Sequence, residues 1–410
     1  MRNFISQKIK WLSRQSNTDL IAIGWSSFWW VFGKVWVGIL AFASLVAFSH
    51  LLSRESYGTY QYILSCLAIP SMFTLYGIDT SIIKSISQGF DGTLARALRE
   101  KITWGLMASF IILGFSAWYF VHGDLMLAAA FGVGAFFAPI RESFAIFWAF
   151  WNGKNNFSKQ AQFAITSAFF NTVCVIVVLV STRNILATLV AFLASKTLAD
   201  FVLYRITTRS VQNAVVDYEA LSFGKHLTAM ESVEVLSLYL DKIIIWNMLG
   251  PTAVAVFSFA QTPLRKAVDL MPVVPVALAR LGAYDIREIK SAVFKKFLVL
   301  FAIMIPTAAV VAICAPMLFA AAFPQYLDSV PYFQALCVLI AFVPFSFLAT
   351  ALVVALKRRD LYIIRIGSPV LKIVLFFALM PSFGIWGIVA GVLIAELAKG
   401  LATVYFFNEV

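Results

Sequence analysis

The chain has 410 residues, of which 61% are hydrophobic and 13% are charged, and its mean hydropathy is +0.87. This composition leaves too little polar surface to cover a water-soluble fold, and it predicts an all-α polytopic membrane protein. The net charge of +12 comes from bases scattered over many short segments, which argues against a nucleic-acid-binding face.

The apolar segments predict about 12 transmembrane helices, since a helix needs about 20 apolar residues to cross the hydrocarbon of a bilayer. In chain order the predicted spans are residues 21–49, 57–79, 102–121, 125–150, 160–181, 184–206, 226–249, 252–278, 297–321, 331–356, 361–380 and 384–407.

The charges between the spans predict their direction. The odd-numbered connections contain only Arg54 and Arg183 as basic residues, whereas the N-terminal tail and the even-numbered connections hold many lysines and arginines. Because basic loops stay on the cytoplasmic side, both termini are predicted to be cytoplasmic. In the cytoplasmic tail at residues 1–20, residues 3–15 predict either an interfacial helix or a plain positive tail.

The connections and motifs favour transport over catalysis. No connection is long enough for a soluble domain, and the chain has no G-x-x-x-x-G-K-[ST], G-x-S-x-G or H-E-x-x-H motif. The histidines His50, His122 and His226 stand at span ends, far apart in the sequence. We therefore expect no enzymatic activity, no resident cofactor and no metal site.

Some charged residues inside the spans have a structural explanation. Partners three or four residues apart can pair along one helix, and long bases near a span end can reach the interface. These residues are Lys196 with Asp200, Glu396 with Lys399, and the interfacial bases Lys242 and Arg365.

Other bases lie near the middle of their spans without such an explanation: Lys34, Arg141, Arg265, Lys266 and Lys372. Glu142 is predicted to point away from its neighbour Arg141, because consecutive helical positions are about 100° apart. Uncompensated cations at the midplane predict a hydrated, positively charged cavity suited to an anionic headgroup. The alternative is a set of salt bridges between helices with only a packing role.

Acidic residues on the seventh span form a second candidate site. Glu231, Glu234 and Asp241 share one helical face, and they are candidates for binding a counter-ion, either H⁺ or Na⁺, whose gradient resets the protein.

The chain repeats itself weakly at an interval of about 197 residues. Residues 52–60 align with 249–257, and both segments join the first and second spans of a six-span half. This predicts an N-lobe at 21–206, a cytoplasmic linker at 207–224 and a C-lobe at 225–410. Because six spans is an even number, the two halves have parallel topology.

Individual positions of the two halves correspond in this repeat. Lys34 matches Glu231, and at an interval of 201 residues Ser167 and Asn171 match Ser368 and Lys372. Such duplicated bundles can rock against each other around a site at mid-depth.

Four motifs occur at junctions along nearly the whole chain. They are Leu52 with Tyr57, Gly58 and Tyr60; Asp241 and Lys242 with Leu249, Gly250 and Pro251; residues 323–331 (FPQYLDSVP); and residues 380–387 (MPSFGIWG). In order and spacing they resemble those of the Wzx-type polysaccharide-biosynthesis flippases of the MATE-like MOP superfamily. The chain departs from that pattern at Ala255, where glycine is usual, and at Lys372, where a neutral amide is more typical.

The resemblance implies a pair of six-helix lobes in the inner membrane that moves a polyprenyl-diphosphate-linked oligosaccharide from the inner to the outer leaflet. Its partners would be this lipid-linked substrate, the bilayer and other glycan-assembly proteins. A MATE-like drug/cation antiporter is the first alternative, although it would need a dominant acidic cleft. A membrane enzyme of glycan assembly is the alternative from a different class.

Overall fold

The computed structural model of the protein describes residues 20–269, 271, 286–354 and 358–409. The predicted interfacial helix at 3–15 and the 272–278 end of the eighth predicted span lie outside the described residues. The described residues are largely helical and contain no strand, so the predicted all-α fold is confirmed.

The helices follow the predicted spans in order. They are α1 (Leu20–Leu51), α2 (Arg54–Ala68), α3 (Tyr76–Ser87), α4 (Thr93–Val121), α5 (Leu125–Arg141), α6 (Phe147–Gly153), α7 (Phe157–Thr182), α8 (Ile185–Thr208), α9 (Tyr218–Leu249), α10 (Pro251–Asp269), α11 (Ile286–Ala322), α12 (Val330–Leu336), α13 (Val338–Val354), α14 (Arg358–Phe383) and α15 (Ile385–Asn408). Short 3₁₀ turns lie at Pro70–Thr74, Phe144–Ile146 and Pro324–Ser329.

Nine helices in the described ranges are long and apolar enough to cross a membrane, or ten if α2 and α3, bent by 46°, form one span. The protein is therefore a multi-pass membrane protein. The two predicted spans outside this set are α9 and α10. They carry several of the charged residues predicted to form the site.

Local sequence explains where the helices begin and end. The side chains of Ser53, Asp124 and Asn184 cap α2, α5 and α8 by accepting a hydrogen bond from a backbone N–H of the first turn. Gly250 ends α9 with a φ of 82°, a conformation that costs little only for glycine. The motif glycine at this junction is therefore required by the backbone.

The two halves pack in the same way, as the repeat predicts. In the first half α1 packs on α7, α4 on α5 and α7 on α8; in the second half α9 packs on α14, α11 on α13 and α14 on α15. The connections that hold few bases lie at one end of these helices, here called the neutral end. The opposite end, with the basic connections, is called the basic end.

The two halves meet at the neutral end where α2 crosses α10. A Cβ atom added to Gly58 would lie 1.8 Å from the carbonyl oxygen of Pro251, so this crossing tolerates only glycine. The ring of Tyr57 packs against Phe259 with centroids 4.7 Å apart. The motif residues of this junction thus form the contact between the lobes.

The same end is closed by polar contacts between the lobes. Arg54 on α2 donates to the Asp328 carboxylate, at 2.6 Å, and Ser49 on α1 donates to the carbonyl of Ala322, at 3.1 Å. The ion pair explains why an arginine stands at the neutral end, which otherwise has few basic residues.

At the basic end the first part of α9 is attached to the N-lobe. The backbone N–H of Gly77 donates to the hydroxyl of Thr228 at 3.0 Å, and Lys225 pairs with Glu100 at 3.0 Å. A Cβ atom on Gly224 would lie 2.7 Å from Cα of Ile78. The α9 helix therefore contacts both lobes along its length, and it begins within the predicted linker 207–224.

The segment before α9 is fastened to the N-lobe as well. The buried carboxylate of Asp91 pairs with Lys154 at 2.7 Å and accepts the backbone N–H of Gln212 at 3.0 Å. The backbone N–H of Asp217 donates to the hydroxyl of Thr93 at 2.9 Å. The linker is thus bound to the N-lobe at several points.

Burial along α1 and α10 indicates that the lobes separate towards the basic end. Leu45 is buried on α1, whereas Lys34, three turns earlier on nearly the same face, is exposed. On α10 every residue over 254–261 is buried, whereas Lys266 and Asp269 are exposed. At the depth of Lys34 this face of α1 is therefore not covered by the described helices.

We expect Gly58→Val to prevent closure of the neutral end, because its side chain would occupy the position of the Pro251 carbonyl. Spin labels at Ser181 and Met317, exposed residues near this end of the two lobes, should report a longer inter-lobe distance by pulsed EPR spectroscopy. Gly114→Val is the matched control, since a Cβ atom there meets nothing within 4 Å. Equal distances in both variants would contradict this crossing.

We expect the single charge reversals Arg54→Glu and Asp328→Arg each to weaken the same closure by about 0.2–1 kcal/mol, the usual range for a partly exposed ion pair. Combining the two reversals should restore the distance distribution of the wild type. High salt should reproduce part of the single-variant effect. A double variant that stays open would show that the pair does not hold the end closed.

Candidate functional site

The N-lobe buries charges that are paired. Lys101 on α4 is fully buried and donates to Asp79 on α3 at 2.7 Å. Asp200 on α8 is also fully buried; it pairs with Lys196 and accepts the hydroxyl of Ser167 at 2.6 Å. The predicted pairing of Lys196 with Asp200 is therefore confirmed.

Arg141 belongs to this paired set, so its predicted isolation is wrong. Arg141 forms an ion pair with Glu142, although consecutive helical residues point in different directions. Glu142 keeps right-handed helical backbone angles at the end of α5, so the contact comes from the reach of the two long side chains. The two side chains line a cavity of about 10 Å³ beside Ser71, which is enough for one water molecule.

The C-lobe arranges its buried charges differently, around a single carboxylate. Asp241 on α9 is fully buried and accepts the side-chain amide of Gln261 on α10 at 2.9 Å. It also accepts the backbone N–H of Lys242 at 2.7 Å. Its charged neighbours are bases on three different helices: Lys242, Arg265 and Lys372. These four charged residues, with Gln261, are called the Asp241 cluster.

Lys242 lies inside the protein and not at the interface, so the prediction that it reaches the membrane surface is wrong. Its side chain is buried, and its ammonium donates to the side-chain oxygen of Gln61 on α2, at 3.3 Å. The amide of Gln61 in turn donates to the hydroxyl of Tyr57 at 2.8 Å. Lys242 is thus turned towards the N-lobe by packing that helix position alone does not reveal.

The other two bases of the cluster lack a carboxylate partner. Within the described parts of the chain neither Arg265 nor Lys372 forms an ion pair, and Arg265 reaches only the carbonyl of Leu238 at 3.5 Å, a long distance for a hydrogen bond. Lys372 is buried, and its ammonium lies over the ring of Phe376, 5.5 Å from the centroid. The Asp241 cluster thus brings together three bases and one carboxylate.

The repeat shows what is particular to Lys372. In the N-lobe Asn171 donates to the hydroxyl of Ser195 at 2.9 Å, a neutral contact between α7 and α8. An interval of 201 residues places Lys372 and Glu396 at the matching positions of the C-lobe, where the two charges interact. Glu396 also pairs with Lys399 at 3.5 Å, as predicted. The C-lobe therefore holds charge where the N-lobe holds an amide and a hydroxyl.

The two remaining predicted bases are exposed. Lys34 lies on the open part of α1, with its ammonium 5.5 Å from the ring centroid of Trp30. Lys266 is exposed on α10 and does not belong to the Asp241 cluster. The structure thus places Arg265 and Lys372 together, and leaves Arg141, Lys34 and Lys266 apart from them.

The three predicted acidic residues do not share an environment. Asp241 is buried and hydrogen-bonded, Glu234 is exposed, and Glu231 is partly buried with Arg365 as its nearest opposite charge. In the described residues no three His, Cys, Asp or Glu side chains are grouped as metal ligands.

Sequence reasoning missed the neutral members of the site. Gln61 and Gln261 hold the charged groups of α9 in place from two different helices. Both are polar residues inside apolar spans, which is the signal by which they are recognisable.

A family model described as "Polysaccharide biosynthesis protein" matches residues 23–271, which is more than half of the chain. No curated protein sequence matches significantly.

Solved structures share the fold at low sequence identity. The lipid II flippase MurJ in an inward closed conformation is 12% identical with a TM-score of 0.70, covering 92% of this chain and 87% of that one. An outward-facing MATE multidrug resistance transporter of the MOP superfamily is 15% identical with a TM-score of 0.68, covering 95% and 94%. A MOP superfamily transporter from Pyrococcus furiosus, described as having a binding pocket of reverse polarity, is 14% identical with a TM-score of 0.58, covering 95% and 92%.

The predicted family resemblance is thereby confirmed. The junction motifs at 52–60 and 241–251 lie inside the matched region, and Tyr57, Gly58 and Pro251 of these motifs form contacts between the lobes. The chain belongs to the polysaccharide biosynthesis protein family and has the fold of the MOP superfamily transporters.

Proposed function

We propose that this protein is a flippase that moves a polyprenyl-diphosphate-linked oligosaccharide from the inner to the outer leaflet of the inner membrane by alternating access. The observation that carries the proposal is the excess of bases over carboxylates in the Asp241 cluster, whose Lys242 and Lys372 are buried between apolar helices.

The charge of the cluster matches a diphosphate. Each phosphate of a diphosphate diester keeps one ionised oxygen, so the headgroup is doubly negative, and in the cluster three bases face one carboxylate. A neutral sugar would leave these bases uncompensated, and a headgroup with a single phosphodiester would compensate them less. Arg265 supplies a planar donor group for phosphate oxygens, and Lys372 supplies a compact charge.

Such a site is needed because a diphosphate does not cross about 30 Å of hydrocarbon unaided. Bases held in the protein replace the hydration that the headgroup loses. A drug antiporter for cations would require the opposite polarity, which the cluster does not provide.

The relatives support this direction. The matching family is named for polysaccharide biosynthesis, MurJ is a flippase of lipid II, and the Pyrococcus furiosus transporter is described by the reversed polarity of its pocket. From these names we infer that the substrate of this protein is an anionic, lipid-linked molecule.

The arrangement of the lobes supports alternating access. The neutral end is closed by Gly58 against Pro251 and by Arg54 with Asp328, while the surface of α1 near Lys34 is open. If the neutral end faces the outer side, as the basic loops predict, this conformation receives substrate from the cytoplasmic leaflet.

We propose H⁺ or Na⁺ as the ion that resets the lobes, and Glu231 as its first candidate. Both oxygens of Asp241 already accept hydrogen bonds, whereas Glu231 is partly buried without a hydrogen bond or ion pair in the described residues.

We expect the double variant Arg265→Gln/Lys372→Gln to lower surface polysaccharide by at least about tenfold in a strain lacking the native gene, because each lost charge-assisted contact costs about 1.5–3 kcal/mol. The measurement is surface glycan at matched protein level. Lys296→Gln, an exposed base of α11 outside the site, is the matched control.

Purified wild-type protein should make a lipid-linked glycan in proteoliposomes accessible from the opposite leaflet, and the double variant should not. Equal surface glycan in wild type and double variant would refute the role of the cluster. Wild-type protein that leaves the glycan in its original leaflet would refute the flippase itself.

A further inference from the structure

The bases along the lobe interface lie at successive depths. Counted from the neutral-end terminus of each helix at 1.5 Å per residue, Lys34 on α1 is about 25 Å deep, Arg265 on α10 about 21 Å, Lys372 on α14 about 16 Å and Lys242 on α9 about 10 Å. The Cα atoms of these bases thus differ in depth from one helix to the next, and the guanidinium of Arg265 reaches the carbonyl of Leu238, at about the Cα depth of Lys372. We call these four residues the cation ladder.

The four bases of the ladder differ in the contacts that they make with the rest of the protein. Lys34 is exposed, and Arg265 and Lys372 have no carboxylate partner in the described parts of the chain. Lys242 alone is bound to the opposite lobe, through Gln61. The base nearest the neutral end is therefore blocked while that end is closed.

The block is linked to closure of the neutral end by direct contacts. Gln61 presents its oxygen to Lys242 because its amide group donates to the hydroxyl of Tyr57. Tyr57 packs against Phe259 and Tyr326 of the C-lobe, and it directly precedes Gly58 of the crossing. Separation of α2 from α10 would withdraw Tyr57 and Gln61 together, and leave the ammonium of Lys242 without its acceptor.

We propose that the cation ladder is the path of the diphosphate, and that Lys242 is its last binding position, available only when the neutral end opens. This inference rests on the proposed function and adds the order of the steps. The headgroup first meets Lys34, is then held by Arg265 and Lys372, and is drawn towards the neutral end when Gln61 leaves Lys242. Several adjacent sites of moderate affinity allow an ion to enter and also to leave, which a single strong site does not.

The ladder predicts different phenotypes for its members. Binding of a polyprenyl diphosphate carrying one fluorescent sugar is measured with purified protein, and leaflet exchange of the same lipid is measured in proteoliposomes by dithionite quenching. Arg265→Gln or Lys372→Gln should weaken equilibrium binding about tenfold. Lys34→Gln should slow association several-fold, since outer charges act mainly on the on-rate.

Lys242→Gln should weaken equilibrium binding less than Arg265→Gln or Lys372→Gln, by no more than about threefold, because Gln61 holds the ammonium of Lys242 while the neutral end is closed. The same variant should slow leaflet exchange about tenfold, its retained binding shows that it is folded, and Lys242→Arg should restore exchange because it keeps the charge. Lys296→Gln is the control expected to change neither measurement.

The outcomes separate this inference from the proposed function. If the wild type exchanges the lipid and Lys242→Gln does so equally fast, the ladder is overturned and the flippase stands. Equal loss of binding in all four single variants would indicate one undivided site and would likewise overturn the ladder. If the wild type does not exchange the lipid, the proposed function fails and the ladder with it.

Discussion

The structure depends on how charge is compensated within apolar helices. A buried ion without a partner is costly, and breaking a buried pair costs more than an exposed one. The N-lobe meets this constraint by pairing: Lys101 with Asp79, Arg141 with Glu142 and Lys196 with Asp200. In the C-lobe Arg265 and Lys372 form no ion pair among the described residues, and the proposed substrate would supply the missing negative charge.

The two lobes have the same architecture, but they differ in how their buried charges are paired. The packing of the helices repeats, but the chemistry does not, as Asn171 with Ser195 and Lys372 with Glu396 show. In the proposed function, the N-lobe with its paired buried charges supports the C-lobe, and the C-lobe holds the anion. The α9 helix connects these roles, because it contacts the N-lobe through Thr228 and carries Asp241 of the cluster.

The sequence predicted the class, the order of the helices and the repeat, because length and hydrophobicity decide these locally. It also singled out Arg265 and Lys372 as candidate site residues, since a base in mid-span is conspicuous, and their role stays a prediction. It failed where side-chain packing decides: Arg141 was expected to be alone, but its side chain pairs with that of its neighbour Glu142. Lys242 was expected at the interface, but Gln61 on a distant helix holds it inside. Helical geometry within one span carries no information on such partners.

The attachment of the linker limits how the lobes move. The connection between the two halves is not a flexible linker here. Asp91 and Thr93 accept hydrogen bonds from its backbone and hold it on the first half. The second half is consequently joined to the first through the start of α9, which is held in place on the N-lobe. Any swing of the C-lobe must then be absorbed by bending within α9 or by sliding at Gly77 and Gly224, and the two halves cannot drift apart as independent bodies.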